Sequence, residues 1–142
     1  MHSHYVLKIV KNYISGYVVN DSGELVQVKK YHFETIHNTD WHHYELTYDG
    51  EIVRLFVDSE EVSTRPLTGN VNFNPSRDDY VGKNPWGDAF EGRIDELEIK
   101  DHIPNQNAAE DTILQMQFDE NVLDYSGNVL DGTWVGAEDY ET

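Results

Sequence analysis

The sequence predicts an all-β protein in which two antiparallel sheets pack face to face as a sandwich. Short segments rich in Val, Ile, Tyr, Phe and Thr recur about every ten residues, and Gly, Asn and Asp separate them. In the clearest segments apolar and polar residues alternate with the period of two that a half-buried strand requires. Hardly any segment favours a helix, and many strands without helices favour a sandwich.

Three strands are predicted near the start of the chain, over Tyr5–Val10, Tyr13–Asn20 and Glu24–Lys30. The residues Asn20 to Gly23 form the predicted turn between the second and third strands, because Asn, Asp, Ser and Gly are turn formers. Asn20-Asp21-Ser22 is also formally a glycosylation sequon.

The clearest hairpin joins a strand over Trp41–Tyr48 to a strand over Ile52–Asp58. Asp49-Gly50 forms its tight turn, because Gly tolerates the positive φ that such turns require. The alternation puts three apolar residues of each strand on one face: Tyr44, Leu46 and Tyr48 on the first, and Val53, Leu55 and Val57 on the second. Trp41, which begins the pattern, is expected in the core.

The rest of the chain continues with shorter elements. The predictions up to the linker are short segments around Val71–Phe73 and Tyr80–Gly82, a loop over 84–88, a strand over Arg93–Lys100 and a linker or single helical turn over Asn105–Asp111. After the linker they are a strand over Ile113–Phe118, an acidic loop over Asp119–Asp131 and a last strand over Gly132–Val135. Trp134, in that last strand, is also expected in the core.

Length and charge limit the number of domains and the classes of partner that the chain can have. A chain of 142 residues can form one domain with a hydrophobic core and is too short for two ordinary ones. The 27 acidic and 10 basic residues give a net charge of −17, which disfavours nucleic acid and anionic membranes and favours hard cations such as calcium. There is no cysteine, and no apolar run approaches the roughly 20 residues that span a bilayer.

Four segments together carry a resemblance to a known family. They are Trp41–Gly50, Val53–Asp58, Tyr80–Asn84 and Phe90–Ile99. Their order and spacing resemble the laminin-G-like and pentraxin-like jelly rolls of the concanavalin A-like class. The resemblance implies two antiparallel sheets and an extracellular or cell-surface module that binds glycans or proteins, often with a structural calcium. Where that family has an Asp-Gly turn, this chain has Asp58-Ser59-Glu60, which predicts a longer hairpin.

The order of the segments departs from the family. Ile113–Glu120 and the following Asp124–Asn128 resemble the family's opening strand and loop, yet here they come last. One domain over 1–142 is therefore predicted, with the family's C-terminal part at 5–103, a linker at 104–112 and the opening segment at 113–136. Three explanations stay open: a circular permutant, a piece spanning two repeats whose last strand completes a neighbouring molecule, and a compact variant that lost strands.

The acidic loop is the predicted calcium site. It and the adjoining strands offer oxygen ligands in Asp95, Asp119, Asp124, Asn128 and Asp131. The alternative is an acidic turn whose Asp and Asn side chains cap their own backbone. The predicted ligand face is the loop that carries Trp86 and Asp88, together with Tyr80, because aromatic rings stack on sugars.

These observations predict a non-catalytic extracellular or cell-surface module that binds carbohydrate or protein, with calcium stabilising its loops. A structural subunit that assembles by exchange of its terminal strand is the first alternative. A glycoside hydrolase is the second, because Glu96 and Glu98 would share one face of the strand over 93–100, although Lys100 stands where such enzymes carry a third acid.

Overall fold

A computed structural model describes residues 5–10, 13–31, 40–72, 80–83, 89–100, 112–118, 123, 125–126 and 131–132. Every regular element in these residues is a strand, and every sheet is antiparallel, which confirms the all-β prediction. No helix in this part of the chain could cross a bilayer. The chain forms two compact units, Met1–Val81 and Gly82–Thr142, which are described separately. The expectation of one domain over 1–142 stays a prediction.

The first unit contains two three-stranded sheets. Sheet A has the order β1-β2-β3, and sheet B has the order β4-β5-β6. The strands are β1 Tyr5–Val10, β2 Tyr13–Val19, β3 Leu25–Tyr31, β4 Tyr44–Tyr48, β5 Ile52–Val57 and β6 Glu60–Pro66.

The core of the first unit lies between these sheets, as in a sandwich. Sheet A contributes Ile14, Val18 and Val28, and sheet B contributes the alternating Val53, Leu55 and Val57, all buried. Tyr44, Leu46 and Tyr48 of β4 pack against this cluster, which confirms both predicted apolar faces. On the edge where β3 lies nearest to β6, the Lys29 amide donates a hydrogen bond to Ser63 Oγ at 3.1 Å.

In sheet B, the sequence predicted the turn between β4 and β5 correctly but not the turn between β5 and β6. Gly50 has a φ of 88° in the predicted turn between β4 and β5. The turn between β5 and β6 was expected to be long, but Val57 pairs directly with Glu60 across only Asp58 and Ser59. Asp58 and Ser59 have φ values of 51° and 69°, the left-handed pair that a type I′ turn needs.

Val71 forms a single bridge to Asn20, and residues 80–82 form no strand, so neither predicted segment is a regular element where it is described.

The second unit contains the antiparallel pair of β7, Leu97–Lys100, and β8, Thr112–Met116. The strand predicted over 93–100 therefore begins four residues late. Glu96 has a φ of 50°, which ends the extended conformation before Leu97. Phe118 has a φ of 57°, so β8 also ends before the predicted Phe118. The linker over 105–111 and residues 133–135 of the last predicted strand lie outside the described residues, and Gly132 is not in a strand.

Candidate functional site

Exposed aromatic side chains and a carboxylate lie at one end of the sandwich in the first unit. The chain leaves sheet A at Tyr31 and enters sheet B after Trp41, and the β5–β6 turn lies at the same end because Tyr44 pairs with Val57. We call the group of Tyr31, Trp41 and Asp58 the aromatic end.

Trp41 and Tyr31 have the most exposed large hydrophobic side chains in the described part of the chain, at 64% and 63%. The expectation that Trp41 lies in the core was wrong. The strand β4 begins at Tyr44, so Trp41 precedes the alternation that buries Tyr44 and Leu46. Exposed aromatic rings are available to pack against a ligand.

The carboxylate of Asp58 is held in position by the two residues that follow Trp41 in the chain. Its Oδ2 accepts a hydrogen bond from His42 Nδ1 at 2.8 Å, and its Oδ1 accepts one from the His43 amide at 2.9 Å. The Asp58 amide donates to the His43 carbonyl at 2.8 Å, so the turn and the start of β4 hold each other.

Hydrogen bonding with His42 and His43 lowers the pKa of Asp58, which stays ionised. Burial and the Asp58 charge raise the pKa of Tyr44. The Asp58 side chain is still 52% exposed, so its free lone pairs can accept further hydrogen bonds from a ligand hydroxyl.

The opposite end of the sandwich is occupied by a hydrogen-bonded cluster around Asn20, which is 2% exposed. Asn20 Nδ2 donates to the Thr68 carbonyl at 2.9 Å. Asn20 Oδ1 accepts from the Ser22 amide at 3.1 Å, from Ser22 Oγ at 2.7 Å and from the Glu24 amide at 2.8 Å. These contacts close the β2–β3 turn and attach it to the chain after β6. The sequon at Asn20 is therefore structural, because its amide nitrogen is buried and bonded.

Asp49 anchors the β4–β5 turn near the same end. Its Oδ1 accepts from the amides of Glu51 and Ile52 at 2.9 and 2.7 Å, and its Oδ2 accepts from Arg54 Nη1 at 2.6 Å. The Arg54 hydrogen bond, with the two amides, lowers the pKa of Asp49 to about 2.

The lowered pKa of Asp49 predicts an acid-dependent loss of stability. The stabilisation is fully present above the ordinary value of 3.8 and is lost as the pH falls through about 2. We expect Asp49→Asn, which keeps the oxygen that caps the turn, to lose less free energy of unfolding than the wild type between about pH 5 and pH 2. Urea unfolding at each pH measures this. Equal losses in both proteins would contradict the assignment.

Of the predicted ligand face, Tyr80 is 45% exposed. Trp86 and Asp88 lie outside the described residues, so their part in a site stays a prediction. The Trp134 side chain also lies outside them.

The predicted calcium ligands are described only in part. Asp95 and Asp131 are exposed, and Asp95 Oδ1 accepts from the Glu96 amide at 2.8 Å. Asp119, Asp124 and Asn128 lie outside the described residues. Within the described ranges no three His, Cys, Asp or Glu side chains form a group that could hold a metal ion. The described carboxylates alone therefore do not make a calcium site, and the prediction depends on the other three.

The geometry of the hydrolase alternative was wrong in one respect. Glu96 precedes β7 with a left-handed backbone, so it does not share a strand face with Glu98. Glu98 lies 3.2 Å from Lys100 Nζ and accepts a hydrogen bond from Gln115 Nε2 at 3.1 Å. Two aligned carboxylates, which the alternative requires, are not formed by these residues.

The strand β8 pairs with β7 of the same chain, with Leu97 opposite Met116. The Tyr125 amide donates to the Gln115 carbonyl at 2.8 Å, so the middle of the acidic loop contacts this strand. The resemblance implies that the family's opening strand lies beside the strand predicted over 93–100, and β8 pairs with the last four residues of that segment. The three explanations for the order of the segments stay predictions.

Sequence reasoning missed Tyr31, Asp58 and the strand β6. Tyr31 ends β3, one residue beyond the predicted strand, and nothing in its local pattern marks it as exposed. The signal for Asp58 was available in its position two residues before Glu60, where a two-residue turn can form.

Comparison with known families identifies the superfamily to which the chain belongs. The laminin-G family model described as "Concanavalin A-like lectin/glucanases superfamily" matches residues 12–108, which is well over half of the chain. The chain therefore belongs to the concanavalin A-like lectin/glucanase superfamily. The searches of curated proteins and of solved structures each returned no match. The family match includes β2 and β3 as well as the segments whose resemblance was recognised in the sequence, and it ends before β8.

Proposed function

We propose that this protein is a non-catalytic binding module of an extracellular or cell-surface protein and that it recognises carbohydrate through the aromatic end. The observation that carries the proposal is the exposure of Trp41 and Tyr31 at the same end of the sandwich as the ionised carboxylate of Asp58. The membership of the superfamily supports a binding role in general.

The chemistry of a sugar fits these groups. A pyranose ring presents an apolar C–H face, which packs on an aromatic ring, and a rim of hydroxyls, which need acceptors. Asp58 supplies charged acceptor oxygens, and charge-assisted hydrogen bonds are the stronger ones. Because His42 and His43 already orient Asp58, a ligand does not bear the cost of ordering that side chain.

The ligand face predicted from the sequence remains part of the proposal as a second contact area, with Tyr80 described as exposed and Trp86 and Asp88 as its other members. A protein ligand could use the same aromatic surfaces, since Tyr and Trp are enriched at the centres of protein interfaces.

We expect Trp41→Ala and Tyr31→Ala each to weaken carbohydrate binding about tenfold, because each removes one ring that a sugar packs against. Affinity electrophoresis through gels containing soluble β-glucan, xylan or galactomannan measures the retardation. Leu25→Ala is the matched control, because Leu25 is 43% exposed and lies at the opposite end of β3. Binding that survives both variants and is lost in Trp86→Ala would move the site to the predicted loop.

A structural calcium bound by the acidic loop is proposed on the composition of its ligands. Calcium would join Asp95 on one side of β7 to the loop that follows β8, and so hold the second unit together. We expect calcium to raise the melting temperature relative to EDTA, and Asp124→Asn with Asp131→Asn to remove that rise. Scanning calorimetry checks it, and an EDTA-insensitive melting temperature in the wild type would contradict it.

A further inference from the structure

Positive charge is concentrated on sheet A in an otherwise acidic protein. The strands β1, β2 and β3 contain Lys8, Lys29 and Lys30 and no Asp or Glu, whereas the whole chain has 27 acidic and 10 basic residues. A segregated charge of this kind on a sheet needs a reason beyond solubility, since interspersed charges serve that purpose.

The strand register places two of these lysines together on the outer face of sheet A. Lys8 pairs with Ser15, and Ser15 pairs with Lys29, so the three side chains form one row across the sheet. The row lies on the face opposite to Ile14, whose side chain is in the core. In the described part of the chain no carboxylate pairs with Lys8 or Lys29. The Lys29 ammonium lies 3.6 Å from the ring centroid of Tyr13 on the same face. Ser15, between the two lysines, is only 1% exposed. We therefore call Lys8, Tyr13 and Lys29 the basic face.

The outer face of sheet B carries a matching row of opposite charge. Glu45 pairs with Phe56, and Phe56 pairs with Glu61, on the face opposite to Leu55. Arg54 lies in the next row, and its guanidinium is 2.6 Å from Asp49 and 3.7 Å from Glu61. Because this one positive charge is shared between two carboxylates, the face keeps an excess of negative charge. We call Glu45, Phe56 and Glu61 the acidic face.

The two rows match in spacing as well as in sign. Each charged pair is separated by one intervening strand, so the charges lie roughly 10 Å apart in both rows. Stacked sheets also pack face to face at about 10 Å, which brings the two rows within contact distance. Each row has an aromatic residue beside or between its charges, Tyr13 in one and Phe56 in the other.

We propose that the basic face of one copy docks on the acidic face of a second copy of this chain. The two faces are the opposite outer surfaces of one sandwich, so the contact is head to tail and leaves a free face at each end. Such a contact propagates into an open-ended stack and does not stop at a dimer. This assembly uses sheet faces and needs no exchange of β8.

The interface is small and charged, so association is expected to be weak and to depend on concentration. The net charge of −17 makes whole copies repel each other. At about 0.1 M salt the Debye length is about 10 Å, which screens this long-range repulsion more than it screens ion pairs in contact. The experiment therefore belongs near that ionic strength.

Sedimentation velocity over a range of protein concentrations tests the proposal with charge-reversal variants. We expect the average mass of the wild type to rise with concentration, and K8E/K29E and E45K/E61K each to stay monomeric. The quadruple variant, with both faces reversed, should associate again, since its faces are complementary once more. R65E/K83E is the matched control, because it changes the net charge as K8E/K29E does at positions outside both faces.

Circular dichroism of each variant establishes that it is folded before its mass is interpreted. A wild type that stays monomeric at every concentration would overturn the proposal. So would association that persists in K8E/K29E, the result that strand exchange through β8 predicts, and so would a quadruple variant that stays monomeric while folded.

Discussion

Gly16→Val is expected to lower the free energy of unfolding by about 3 kcal/mol, because the core of the sandwich has no space for a side chain there. A Cβ at Gly16 would lie 2.4 Å from Leu46 Cδ1 and 3.0 and 3.1 Å from its Cδ2 and Cγ. Gly16 is in the middle strand of sheet A and Leu46 is in β4 of sheet B, so the contact measures how closely the sheets approach.

The control for this prediction is the Leu46→Ala background. There the space vacated by Leu46 accommodates the valine, and a β-branched residue suits a strand better than glycine does. The cost of Gly16→Val should therefore fall to about zero or change sign, a coupling of up to about 3 kcal/mol between the two sites. Urea denaturation of the four proteins measures the cycle. An additive result would mean that the two sheets do not meet at this point.

Asn20→Ala is expected to cost about 3 kcal/mol of stability, since it removes four hydrogen bonds that are worth roughly 0.5–1.5 kcal/mol each. It also leaves the Thr68 carbonyl and the Glu24 amide without the partner they have at this buried side chain. The loss should appear in urea unfolding as a lower midpoint with an unchanged slope.

Ser22→Ala is the comparison for Asn20→Ala, because it removes only the 2.7 Å bond from the serine hydroxyl. We expect it to cost about 1 kcal/mol. Equal effects of the two variants would show that Asn20 does not hold the β2–β3 turn to the segment after β6.

The sequence predicted best where burial imposes a period of two. The hairpin of β4 and β5 was found because Leu46 faces the core while Glu45 and Thr47 do not, and because Gly50 permits its turn. The strand β6 was missed for the opposite reason. It begins with Glu60 and Glu61 and has no alternating apolar residues, so pairing with β5 determines it and its own composition does not.

The site was harder to predict than the fold because exposure depends on where a strand begins. Trp41 looked like the first residue of a strand, yet β4 starts at Tyr44 and the ring is left in solvent. The backbone at Glu96 shows the same effect, because a single left-handed residue removes it from the strand that Glu98 occupies. The order of the charged rows on the two sheet faces follows from register, which the sequence alone did not supply.

The most direct test of the proposed binding role is fluorine NMR of the chain labelled with 5-fluorotryptophan. The chain has three tryptophans, Trp41, Trp86 and Trp134, whose signals single Trp→Phe variants assign. Titration with whichever of the soluble β-glucan, xylan or galactomannan retards the protein should shift the Trp41 signal and leave the Trp134 signal in place. A Trp41 signal that does not move with any of the three would contradict carbohydrate recognition at the aromatic end.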